Sequence, residues 1–174
     1  MKPLFLLVTV FILSSMLAYA DSDCEEQSIR FGDGSGEDLI ADSCFEQALR
    51  EASPFTRTMA KDANQAEYKI IAFKNIIYFD KPAKREYLAG LGTSLNDVVA
   101  ISLDETHHEL VVLESSGSVL FFGLTYLGNV FPLRVLKNQA LSGSYGLAVD
   151  PIKNEIYVAN LQSRKLLTFS RLAN

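Results

Sequence analysis

The chain has 174 residues, enough for one domain or for one domain with a small extra segment. Hydrophobic residues make up 48% and charged residues 21%, which excludes wholesale disorder. A formal charge of −5 without any long basic run argues against nucleic acid and anionic membrane surfaces as partners.

The first segment reads as a signal peptide over residues 1–20. Lys2 supplies a positive start, and the stretch from Leu4 to Leu17 is apolar except for Thr9, Ser14 and Ser15. Ala18-Tyr19-Ala20 then gives the small-x-small pattern that a signal peptidase cuts. A membrane-spanning helix needs roughly 20 apolar residues, so no stable membrane anchor is expected after cleavage. Asp21-Ser22-Asp23 before Cys24 is too polar for a lipid-attachment box. Cleavage removes one lysine and no acid from 16 basic and 21 acidic residues, leaving −6. The expected location is periplasmic or extracellular.

Residues 21–66 read as an acidic segment of different character. In an oxidising compartment its two cysteines, Cys24 and Cys44, read as a structural disulfide. A closed loop of about 20 residues is worth roughly 3 kcal/mol in the chain-entropy picture. Asp33-Gly34-Ser35-Gly36-Glu37-Asp38 is a loop by composition. It resembles the start of a calcium loop, but the sixth position is Asp38 and the twelfth is Cys44, so no calcium site is assigned. Ala41 to Ala52 reads as a short helix capped by Asp42 or Ser43, with Phe45, Ala48 and Leu49 on one face and Pro54 marking its end.

Residues 67–174 read as a series of short apolar strands with internal repetition. A shift of 46 places Val99–Phe122 on Tyr145–Thr168. Asp104 then falls on Asp150 and Glu109 on Glu155, and the strand Leu110-Val111-Val112 falls on Ile156-Tyr157-Val158. A shorter copy lies upstream, where Tyr87-Leu88-Ala89-Gly90 matches Val135-Leu136-Lys137-Asn138. The predicted strands are 86–89, 98–103, 109–114 and 118–124, then 133–137, 145–149, 155–160 and 165–170. These form two four-stranded antiparallel units in that grouping. Runs such as Val98-Val99-Ala100-Ile101 and Val119-Leu120-Phe121-Phe122 are apolar at every position, the pattern of a sheet buried on both faces. The expectation is an all-β fold, a partial β-propeller of four-stranded blades whose period lies just above the usual ~40–45 residues.

The repeat resembles the NHL and YncE-like β-propeller families of secreted bacterial proteins. The residues that carry the likeness are Gly128-Asn129 and Pro132-Leu133-Arg134, then Tyr145-Gly146-Leu147-Ala148-Val149-Asp150, then Asn154-Glu155-Ile156-Tyr157-Val158-Ala159-Asn160. The resemblance covers residues 67–174 and implies a fold rather than an activity. At 46 residues per unit the region holds about 2.3 units, whereas propellers close with about four to eight blades. A shortened chain, or a homo-oligomer that completes the ring, would account for the difference.

Few side chains suggest chemistry. His107 and His108 are adjacent in a predicted turn, and their counterparts are Lys153 and Asn154, so they read as a solvated turn. Asp104 and Asp150, with Glu109 and Glu155, recur once per unit, as structural residues do; each Asp can accept hydrogen bonds from the following turn. Lys81, Lys84 and Arg85 read as a solvated turn, and Arg134 as a salt-bridging or solvated residue. No hydrolytic triad or phosphate loop can be assembled, and no cofactor or metal site is assigned. The expected function is a non-catalytic interaction or scaffold module that holds a protein, peptide or glycan. Two other readings compete with it. One is a lactonase-like, calcium-dependent hydrolase drawing on Glu67, Glu114 and Asn160; the other is a non-functional remnant of a longer propeller protein.

Overall fold

The structure is a computed structural model that describes residues 45, 47 and 49–173, with Phe55 described by its backbone alone. The expectations for the signal peptide, the Cys24–Cys44 bridge and the loop 33–38 lie outside these residues. The described part belongs to one compact unit that runs from Phe45 onward.

The fold is all-β, with eleven strands in three antiparallel sheets among the described residues. The first sheet has the order β1 (Arg57–Lys61), β2 (Glu67–Phe73), β3 (Ile76–Asp80) and β4 (Arg85–Leu88). The second has β5 (Val98–Asp104), β6 (Glu109–Glu114), β7 (Ser118–Gly123) and β8 (Arg134–Lys137). The third has β9 (Ser144–Asp150), β10 (Glu155–Asn160) and β11 (Lys165–Ser170). Each sheet is a meander in which consecutive strands pair.

Two expectations need correction. The sequence starts the strand region at residue 67, but the first sheet begins with β1 at Arg57. Only Ala60 of its five residues is buried, so β1 carries no apolar alternation to read; it is held by pairing with β2 from Arg57↔Ile71 to Lys61↔Glu67. The grouping of strands also differs. The sequence opens each unit with 86–89 and 133–137, whereas β4 and β8 close the sheets that precede them. A repeat period fixes spacing but not the starting strand. Local geometry fixes the start: a tight turn returns β4 onto β3 with Asp80↔Arg85. The following link, with Gly90 at φ 110 and a 3-10 turn at Leu91–Thr93, carries the chain across to β5.

The middle sheet explains the apolar runs of its central strands. In β6, Leu110 and Val112 pack toward the first sheet, while Val111 and Leu113 pack toward the third. In β7, Leu120 and Phe122 face the first sheet, and Val119 and Phe121 face the third. All eight are essentially inaccessible. Burial of each such side chain is worth about 1.5–3 kcal/mol, so both junctions are strongly apolar. Strand β5 packs beside both β1 and β9, which makes the first strands of the three sheets neighbours.

The ends of this stack differ. On the first sheet the far side carries Ile71, Ile76 and Tyr78, all buried. Phe45, from a helical stretch within 45–51, meets the Tyr78 ring edge-on at 5.3 Å, and the Arg85 guanidinium lies 3.4 Å from the Phe45 ring centre. On the third sheet Leu147, Val149, Ile156, Val158, Leu167 and Phe169 face the middle sheet. Its opposite side carries Ala148, Ala159, Leu166 and Thr168, all exposed, together with half-buried Gly146 and Tyr157.

Candidate functional site

The most organised polar cluster joins the second and third sheets. Glu109, at the start of β6, is bound in a fork by Arg134 of β8: Nη1 donates to Oε1 and Nη2 to Oε2, both at 2.7 Å. Arg171, just after β11, donates to the same Oε2 at 2.6 Å. The Nε of Arg171 donates to Oδ1 of Asn154 at 3.0 Å and lies 3.7 Å from fully buried Asp104. Arg134 also lies over the Phe121 ring at 4.0 Å and donates from Nε to the Arg171 carbonyl. Burial pushes the Glu109 carboxyl up, but the two guanidiniums outweigh it and hold the group below the ordinary glutamate range. The cluster is saturated by its own partners and works as a polar clamp between two sheets.

The recurring aspartates start the turns that follow them. The side chain of Asp104 accepts from the His107 backbone N–H at 3.0 Å, and Asp150 accepts from those of Ile152 and Lys153, also at 3.0 Å. Both turns end in a left-handed residue, His108 and Asn154, each at φ 55. His107 turns its Nδ1 back to Asp104 Oδ2 at 2.8 Å, so the two histidines do different work. Lys81 and Lys84 both pair with Glu86.

Glu114 and Asn160 end β6 and β10 at equivalent places and brace the links between sheets. Glu114 accepts from the Asn96 N–H at 2.7 Å, and burial pushes its carboxyl above the ordinary range. Asn160 donates to the carbonyls of Ala140 and Ser142. Glu67 is exposed at the start of β2. Among the described residues no three His, Cys, Asp or Glu side chains gather around a common metal position.

Gly128 and Asn129, in the β7–β8 link, bind the second sheet to the edge of the first. Gly128 donates to the Tyr87 carbonyl at 2.8 Å and accepts from Ala89, forming a parallel bridge with Leu88. The side-chain oxygen of Asn129 accepts from the Gly92 N–H at 2.6 Å. A Cβ at Gly90 would lie 2.7 Å from the Asn129 side chain, so this approach requires glycine there. Pro132 is half-buried just before Leu133, whose N–H bonds to the Phe121 carbonyl. Gly146 lies on the open side of the third sheet, where an added Cβ would meet that of Ala159 at 3.2 Å.

The described residues line clefts on the surface. One of about 640 Å³ lies between the first two sheets, with Tyr68, Leu103, Leu124 and Leu127 on its walls and Asp62, Glu86, Glu105 and His108 at its rim. A smaller one of about 370 Å³ is lined by Ala52, Phe73, Val98, Val99 and Tyr145. Ala159 and Leu166 are exposed on the open side of the third sheet. By strand register, its Tyr157, Ala159, Leu166 and Thr168 correspond to Val111, Leu113, Val119 and Phe121 of the second. Those four are the residues that the third sheet covers. No protein-family model matches the chain, and no curated protein matches it.

Proposed function

We propose that the chain is an exported, non-catalytic interaction module built from β-propeller repeats, which holds a protein, peptide or glycan against its third sheet. One observation carries this reading. The third sheet presents to solvent the side whose counterpart in the second sheet is buried by a neighbour. A sheet side left open where its counterpart in the neighbouring sheet is buried suits a recognition surface. The stacking of three meanders with their first strands adjacent supports the propeller part of the reading. The apolar run before Ala20 supports the export part.

The test is site-specific photocrosslinking in secreting cells. A photoreactive residue replaces Leu166 on the open side or, as a control, Leu91 in the link between the first two sheets, also exposed. Discrete adducts from position 166 and none from position 91 are the expected result. Equal or absent labelling at both positions would remove the reading.

A further inference from the structure

The two junctions between the sheets share positions but differ in chemistry. Ile70 pairs with Phe79 and faces the second sheet, as Val111 pairs with Phe121 and faces the third. Two residues before them stand Tyr68 and Glu109. Opposite Phe79 stands Glu86, and opposite Phe121 stands Arg134. The facing sheets match as well. The Leu124 N–H donates to the His108 carbonyl at 2.9 Å, as the Arg171 N–H donates to the Asn154 carbonyl at 2.8 Å. At the second junction the Arg134 and Arg171 guanidiniums close on Glu109. At the first, Leu124 stands for Arg171 and Glu86 for Arg134, and the place is the cleft of about 640 Å³.

The side chains around this cleft suit a cation. Asp62, Glu86 and Glu105 line it against Lys61 and Lys81, an excess of one negative charge. Lys81 and Lys84 take up Glu86, whereas Glu105 is exposed and has no ion pair among the described residues. Tyr68 is only 6% exposed, yet its hydroxyl has no hydrogen-bond partner among the described residues. Burial, and then the charges of Asp62, Glu86 and Glu105, push the phenol above its ordinary value. Those three acids all line the cleft, which sets the hydroxyl at its wall. Lys81 lies over the Tyr68 ring at 5.5 Å, so the hydroxyl rather than the ring face is what this tyrosine offers. A hydroxyl left unpaired at such depth is costly, and an incoming N–H would satisfy it. Leu103, Leu124 and Leu127 supply apolar wall for an aliphatic chain. The volume lies within the ~300–1,000 Å³ of small-molecule sites.

We infer that the cleft between the first two sheets is a binding site for a small organic cation, a guanidinium on a short aliphatic chain, held by Tyr68 and Glu105 in the place that Arg171 fills at the next junction. A planar guanidinium has five N–H donors to divide between a hydroxyl and carboxylates. The site lies apart from the open side of the third sheet, so it goes beyond the function proposed above and stands or falls separately.

The probe is n-butylguanidinium chloride, titrated into the ¹⁵N-labelled full chain, with n-butylurea as its neutral isostere. Saturable amide shifts at Asp62–Tyr68, Leu103–His108 and Leu124–Leu127 are expected from the cation and none from the urea. Tyr68→Phe removes a hydroxyl that holds no described protein group and should weaken binding about tenfold. Glu105→Gln, at an exposed acid, should weaken it about threefold. Leu124→Arg supplies the guanidinium from the chain itself and should abolish binding. Tyr68→Phe and Glu105→Gln carry the test should Leu124→Arg disturb the fold. An absence of saturable shifts around Tyr68 would overturn the inference. So would an equal response to the urea, shifts that map elsewhere, or undiminished binding by Tyr68→Phe.

Discussion

At Glu109 two guanidiniums from different sheets converge on one carboxylate, and the sequence shows only a glutamate in a strand. Arg171 lies 62 residues away. Its partners, Glu109 and Asn154, are in separate repeats, so no local pattern announces the contact. Replacing Glu109 with Gln removes the carboxylate that Arg134 and Arg171 share, leaves Arg171 with Asp104 at 3.7 Å as its remaining acid, and should cost about 3 kcal/mol in urea unfolding at pH 7. The pH dependence follows from the lowered carboxyl. Its unfolded value is near 4.5 and its folded value lies below that, so the stabilisation is complete above 4.5 and is lost as pH falls through the folded value. The gap in urea midpoint between the native chain and E109Q should therefore close on acidification below the usual glutamate range. A gap that stays constant to pH 2 would show that Glu109 contributes by packing rather than by charge.

At the level of strands and links, Gly128 and Asn129 form a stitch along the outer edge of β4. Asn129→Ala removes the bond to Gly92 and should lower stability by about 1 kcal/mol. Gly90→Ala should cost more, since it combines a left-handed φ of 110 with a Cβ too close to Asn129. Thermal denaturation of the two variants tests that order. The strands themselves were legible where burial is two-sided: β6 and β7 are apolar at nearly every position because both their faces meet other sheets. Strand β1 was illegible because four of its five side chains are not buried and its pairing is made by backbone. The strand that closes each sheet was illegible for another reason. A repeat is periodic wherever it is cut, and only the link geometry at Gly90 shows where one sheet ends. Asp104 and Asp150 were legible as recurring turn residues because their partners lie within three residues.

For the molecule as a whole, the inner and outer sides of the third sheet should respond differently to truncation. Ile156 is fully buried against the second sheet, and Ile156→Ala should cost about 3 kcal/mol. Leu166 on the opposite side is mostly exposed, and Leu166→Ala should change stability by no more than about 0.5 kcal/mol. Chemical denaturation of the isolated chain measures both. Equal costs would mean that the outer side is covered by something in the free chain.

The Phe45 ring over Tyr78 at the opposite end of the stack has a consequence for valence. Among the described residues that side of the first sheet is closed, whereas the outer side of the third sheet is open. A divalent platform would cross-link its partners into networks. If the open side of the third sheet is the binding surface proposed above, a titration should end in a discrete complex that stays in solution however concentrated the partner becomes.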